Sequence, residues 1–97
     1  MINTTYNIAS AIPLGARRIR LRYRDGFEGD ISVARFIEAG GVFSFLRDPA
    51  QFSKVLIGED GRWLYWVDPE GDEVDLCADA LRYEAEERAV DAMAAAE

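Results

Sequence analysis

The chain has 97 residues, 49% of them hydrophobic and 30% charged, with a formal net charge of −7 and no histidine. That length gives one domain burying ~60–65% of its unfolded surface, enough for one modest core. It excludes histidine chemistry of any kind; a transmembrane helix, because no apolar run approaches ~20 residues; and an internal disulfide, because Cys77 is the only cysteine.

A lone cysteine fits a cytoplasmic location. Met1 to Ala16 carries no side-chain charge and no long apolar block, so no secretory signal is expected. The charge is unevenly spread. Residues 1–24 hold five arginines and no acid, residues 25–67 sum to −3, and residues 68–97 hold eleven acids and two bases.

In chain order, Tyr6 to Ile12 has weak strand character, closed by Pro13 and Gly15. A second strand is predicted at about Arg17 to Tyr23. It sends Ile19, Leu21 and Tyr23 to one face and Arg18, Arg20, Arg22 and Arg24 to the other. A third, about Phe27 to Val33, puts Phe27, Ile31 and Val33 opposite Glu28, Asp30 and Ser32. Register decides the turn between them. A two-residue loop would set Tyr23 against Glu28 and mix the faces. A three-residue loop, Arg24-Asp25-Gly26, sets Tyr23 against Phe27, Ile19 against Ile31, Arg22 against Glu28 and Arg20 against Asp30. It requires Gly26 in the left-handed position of a bulge.

Ser32 to Glu38 reads as a short helix stopped by Gly40-Gly41. Phe43, Phe45 and Leu46 follow as core cover, and Asp48-Pro49 starts a helical turn carrying Phe52. Val55 to Gly58 is a fourth strand, and Glu59-Asp60-Gly61 turns it into Arg62 to Val67, the densest apolar run. Trp63, Tyr65 and Val67 point one way, Leu64 and Trp66 the other. Both sets are apolar. Either both faces are covered, or one aromatic face is kept for a partner. A short strand at Glu73-Val74 is expected next. Then comes a long helix over about Leu76 to Ala95, N-capped by Asp75, with Leu81, Ala85, Ala89 and Ala92 as its apolar seam. Glu84 and Arg88 are spaced as a helical pair. Residues 92–97 are expected to project beyond the core and fray. The fold class is therefore α+β, a single domain over residues 1–97. It is built as a mostly antiparallel sheet of two hairpins, with short helices between them and a long C-terminal helix.

No catalytic constellation emerges. No serine has a candidate base, and Gly40-Gly41 lacks the context and lysine of a phosphate loop. Asp68, Glu70, Asp72 and Asp79 match part of an EF-hand spacing. Glu73, however, occupies the position that needs glycine, and Asp79 is too short for the twelfth. No metal and no cofactor are expected. Cys77 reads as a small buried residue, since Asp75 and Asp79 oppose thiolate formation.

Several features follow one another in order: Arg24-Asp25-Gly26, Gly40-Gly41-Val42-Phe43, Leu46, Asp48, Phe52, Val55, a strand centred on Trp66, then Asp75, Ala78, Leu81 and Tyr83. In this order the chain resembles domain-of-unknown-function family 2442, small bacterial proteins, over about residues 8–83. The long acidic helix departs from the usual shorter member. The resemblance implies an α+β domain without known catalytic residues and an antitoxin-like role. It defines no site residues.

The acidic balance argues against general nucleic-acid binding, which needs cations. It suits a basic protein partner that itself binds nucleic acid. The expected function is a non-enzymatic inhibitor of such a partner, a toxin or, on small size and acidity alone, a CRISPR effector subunit blocked as by a phage anti-CRISPR protein. Its acidic partner-binding face would comprise Asp68, Glu70, Asp72, Glu73, Glu84, Glu86, Glu87 and Asp91. Secondary contacts are expected from Trp63, Trp66, Arg18, Arg20 and Arg22. The alternatives are a DNA-binding regulator using the arginine strand, or a structural module homodimerising through the aromatic strand.

Overall fold

The structure, a computed structural model, describes residues 6–96, with side chains described to residue 87. β1 (Ile8–Leu14), β2 (Arg18–Tyr23) and β3 (Glu28–Ser32) form one antiparallel sheet in that order. A short helix α1 (Ala34–Glu38), a 3-10 segment (Gly41–Arg47) and α2 (Pro49–Phe52) follow. β4 (Leu56–Ile57), β5 (Trp63–Val67) and β6 (Glu73–Cys77) make a second antiparallel sheet with β5 in the middle, and α3 (Ala78–Ala96) ends the chain. The class is α+β, with two three-stranded sheets. Among the described residues no helix is long and apolar enough to cross a membrane.

The β2–β3 hairpin has the predicted register. Ile19 faces Ile31, Arg20 faces Asp30 and Arg22 faces Glu28. The Tyr23 N–H donates to the Phe27 carbonyl at 2.8 Å, and Gly26 sits at φ 95°. β1 runs later than predicted and contains Pro13, opposite Ile19. Proline is tolerated there because β1 is an edge strand, half of whose N–H groups need no partner. β6 runs on through Cys77, so α3 starts at Ala78 and Asp75 is a strand residue, not the helix cap. The alternation of Val74 and Leu76 explains this. Val74 is buried, and burying it outweighs a cap worth ~1 kcal/mol.

Both sheets and the helices share one core: Ile19, Leu21, Tyr23 and Ile31 from the first sheet, Leu64 and Trp66 from the second, and Leu81 and Ala85 from α3. Gly29 lets α3 approach β3, since a Cβ there would stand 3.2 Å from that of Ala85. Trp66 stacks on Phe52 and donates its indole N–H to the Phe52 carbonyl at 3.0 Å. The Tyr23 hydroxyl donates to the Ala78 carbonyl at 2.8 Å, and burial pushes its pKa well up. Ala89 and Ala92 of the expected seam, the Glu84–Arg88 pair and the fraying of residues 92–97 all lie outside the described side chains.

The β1–β2 turn stores strain. Ala16 and Arg17 hold φ of 60° and 59°, left-handed values that disfavour any side chain. Replacing Ala16 with glycine relieves one of them. Set against the added freedom of the unfolded chain, the net gain should be about 0.5–1 kcal/mol. Thermal unfolding should show a midpoint raised by a few degrees. A lowered midpoint would mean that the turn carries no such strain.

Candidate functional site

β5 presents two unequal faces. Leu64 and Trp66 are buried, at 0% and 1% exposure, whereas Trp63 and Tyr65 are half-buried and Val67 is 45% exposed. Of the two alternatives, complete cover on both faces does not hold; the face of Trp63, Tyr65 and Val67 is the more open one. Trp66 belongs to the core and cannot serve as a contact residue. Register builds the open face outward. Trp63 faces Cys77, Tyr65 faces both Leu56 and Asp75, and Val67 faces Glu73. Residues directly opposite in a sheet share a face. The surface is thus an apolar strip of Leu56, Trp63, Tyr65 and Val67, bordered along β6 by Asp75 and Glu73. Trp63 lies flat against Gly58, where a Cβ would stand 2.0 Å from its indole. Cys77 is half-buried on this same face, not sealed in the core.

The acidic residues divide into two groups. Asp68 organises the β5–β6 turn, its Oδ1 accepting the Glu70 and Asp72 N–H groups at 2.9 Å each. Glu70, Asp72 and Glu73 are exposed, with no ion pair among the described residues. On α3, Glu84 binds Arg35 at 3.1 Å and Glu86 binds Arg82 at 2.8 Å, so both serve within the fold. Glu87 is exposed, and the Asp91 side chain lies outside the described residues. The turn and the helix lie at opposite ends of β6, five residues or about 17 Å apart along the strand. They do not make one continuous face. Among the described residues no group of three acidic, cysteine or histidine side chains could hold a metal ion.

The first sheet's outer face is the basic one. Its rows are Ser10-Arg22-Glu28, Ile12-Arg20-Asp30 and Leu14-Arg18-Ser32. Asp30 binds Arg20 at 2.9 Å, and that hydrogen bond raises the guanidinium's pKa further. Glu28 stands 3.8 Å from Arg22, while Arg18 and Arg24 have no carboxylate within salt-bridge distance among the described residues.

Arg82 went unread in the sequence. Its side chain is 9% exposed and lies over the rings of Phe27, Tyr6 and Tyr23, at 4.0, 4.3 and 5.1 Å from their centroids. Its fork binds both Asp25 oxygens, at 2.9 and 3.0 Å, and Glu86 at 2.8 Å. The signal was available: Ala78, Leu81 and Ala85 mark a buried helix stripe, and position 82 falls on it.

Compared with known proteins, the chain matches no family model, no curated protein and no solved structure.

Proposed function

We propose that this protein is a non-enzymatic inhibitor that binds a basic, nucleic-acid-handling protein and blocks its nucleic-acid site. The observation that carries this reading is the open face of the second sheet, where Leu56, Trp63, Tyr65 and Val67 lie beside Glu73 and Asp75 with Glu70 and Asp72 at one end. Half-buried aromatics supply contact area, and unpaired carboxylates select a cationic surface. Such a surface on the partner is what nucleic acid would otherwise occupy. A toxin or a CRISPR effector subunit is the class of partner in view.

Glu70→Lys combined with Asp72→Lys changes the rim without touching the fold's own ion pairs. A partner is first captured from host extract and identified by mass spectrometry, and its affinity for each form is then titrated. The double variant should bind at least about tenfold more weakly, roughly 1.4 kcal/mol, with an unchanged circular dichroism spectrum. The native protein should also displace nucleic acid from the partner. Equal affinity for both forms, or a partner without a nucleic-acid site, would refute the reading.

The exposed arginines favour a second reading, direct binding of DNA by Arg18, Arg22 and Arg24. Duplex binding that weakens steeply with salt would support it, and no binding at low salt would remove it.

A further inference from the structure

The free edge of the second sheet is defined by its hydrogen bonds. The Ala78 N–H donates to Arg62 at 2.9 Å, and the Asp68 N–H donates to Asp72 at 2.8 Å, at the two ends of the β5–β6 ladder. Hydrogen-bonded pairs alternate along an antiparallel ladder. Leu64–Leu76 and Trp66–Val74 are therefore the bonded pairs between those ends. The N–H and C=O groups of Glu73, Asp75 and Cys77 consequently point away from β5. β6 is an edge strand, and apart from the Cys77 C=O, which leads into the first turn of α3, none of these groups has a main-chain hydrogen bond among the described residues.

Exposed edges invite another strand, and side chains decide which. Here Glu73 and Asp75 are exposed on the outer face, while Val74 and Leu76 point to the core. A second copy pairing antiparallel about Asp75 would set Asp75 against Asp75, a destabilising like-charge contact. An added strand with lysine or arginine at alternate positions would meet each carboxylate with a cation. The positions between would lie beside Val74 and Leu76 and require apolar side chains. We infer that β6 accepts an extended, alternately basic and apolar segment of a partner protein by strand addition. This deepens the inhibitor reading by naming how the partner is held, and it rests on that reading for the partner's biological class.

The probe is a synthetic peptide of alternating lysine and valine, with a second peptide N-methylated on one edge as control. Amide hydrogen exchange is read residue by residue. The first peptide should slow exchange at Glu73, Asp75 and Cys77 by at least about tenfold. The control should not, and Glu73→Lys with Asp75→Lys should abolish the effect. Binding that leaves these amides unprotected, or no binding, would overturn the inference. Removing the charges gives an independent test. Glu73→Thr with Asp75→Thr should convert the protein into a dimer by sedimentation, and a variant no more associated than the native chain would show the edge closed. Failure of either test leaves the result for Glu70 and Asp72 standing. Conversely, a partner without a nucleic-acid site leaves the edge result intact.

Discussion

Replacing Arg82 with alanine should lower the unfolding free energy by about 2–3 kcal/mol, a large loss for a polar side chain. Packing and cation–π attraction together supply most of this. The guanidinium plane fills the space between Tyr6, Tyr23 and Phe27, and alanine leaves three rings facing a void. Cation–π attraction contributes up to ~2 kcal/mol when the cation is desolvated. The two carboxylates contribute less, because Asp25 and Glu86 are 50% and 41% exposed and water screens them. Urea titration of Arg82→Ala, Arg82→Lys and Arg82→Met separates the parts. Lysine keeps the charge but loses the fork and the flat stack, and methionine keeps bulk without charge. All three should destabilise, alanine most. A loss under ~1 kcal/mol for alanine would show the site to be a surface ion pair. The site also makes an acid prediction. The Phe27 N–H, followed by Arg82, holds the Asp25 carboxyl below its ordinary value. A lowered folded-state pKa contributes stability above the unfolded value and loses it as pH falls through the folded one. Native stability should therefore fall below the ordinary carboxylate range, and the part due to Arg82 should be missing from the Arg82→Ala curve.

Gly61→Ala should cost about 3 kcal/mol. Gly61 holds φ 72°, and a Cβ there would lie 2.2 Å from the carbonyl oxygen of Ile8 and 2.6 Å from its nitrogen. Those atoms are backbone and cannot swing aside. At this point the first hairpin of the second sheet meets β1 of the first, beside the Asn7 side-chain N–H that donates to the Asp60 carbonyl at 2.7 Å. Adding a methyl group separates the sheets as well as straining the turn. Gly58→Ala is the control. Its Cβ meets the half-buried indole of Trp63, which can move outward. Chemical denaturation should rank Gly61→Ala well below Gly58→Ala, and tryptophan emission should change chiefly in the latter. Equal losses would show that the sheets are not joined at Ile8.

How far the sequence reaches differs by element. Strict alternation of arginine with Ile19, Leu21 and Tyr23 defines one face unambiguously, and with Gly26 it sets the register of β2 and β3. β5 offers no such contrast. All five of its residues are apolar, so periodicity separates Trp63 from Trp66 but cannot say which meets solvent. The boundary between β6 and α3 is not legible locally: Asp75 has good capping chemistry, a local property, while the burial of Val74 depends on the whole fold. The candidate acidic surface was legible as a run of charge but not as a shape. Glu84 meets Arg35 from 49 residues away, and nothing local in α3 discloses that neutralising partner. The bordering of the aromatic strip by Glu73 and Asp75 depended on extending β6 by three residues beyond the expected pair.

The first sheet and the first turns of α3 close on one another across most of the chain. The Tyr6 N–H donates to Asp79 at 2.8 Å across 73 residues, Tyr23 reaches Ala78 across 55, and Asp25 meets Arg82 across 57. The hairpins form from neighbouring strands, but these closing contacts between distant segments form slowly, because loop-closure entropy is spent before they repay it. During synthesis the first hairpin emerges early and stays without its lid until α3 leaves the ribosome. A chain truncated before residue 78 leaves Tyr23, Phe27 and the rest of the first sheet's inner face uncovered, a surface prone to aggregate.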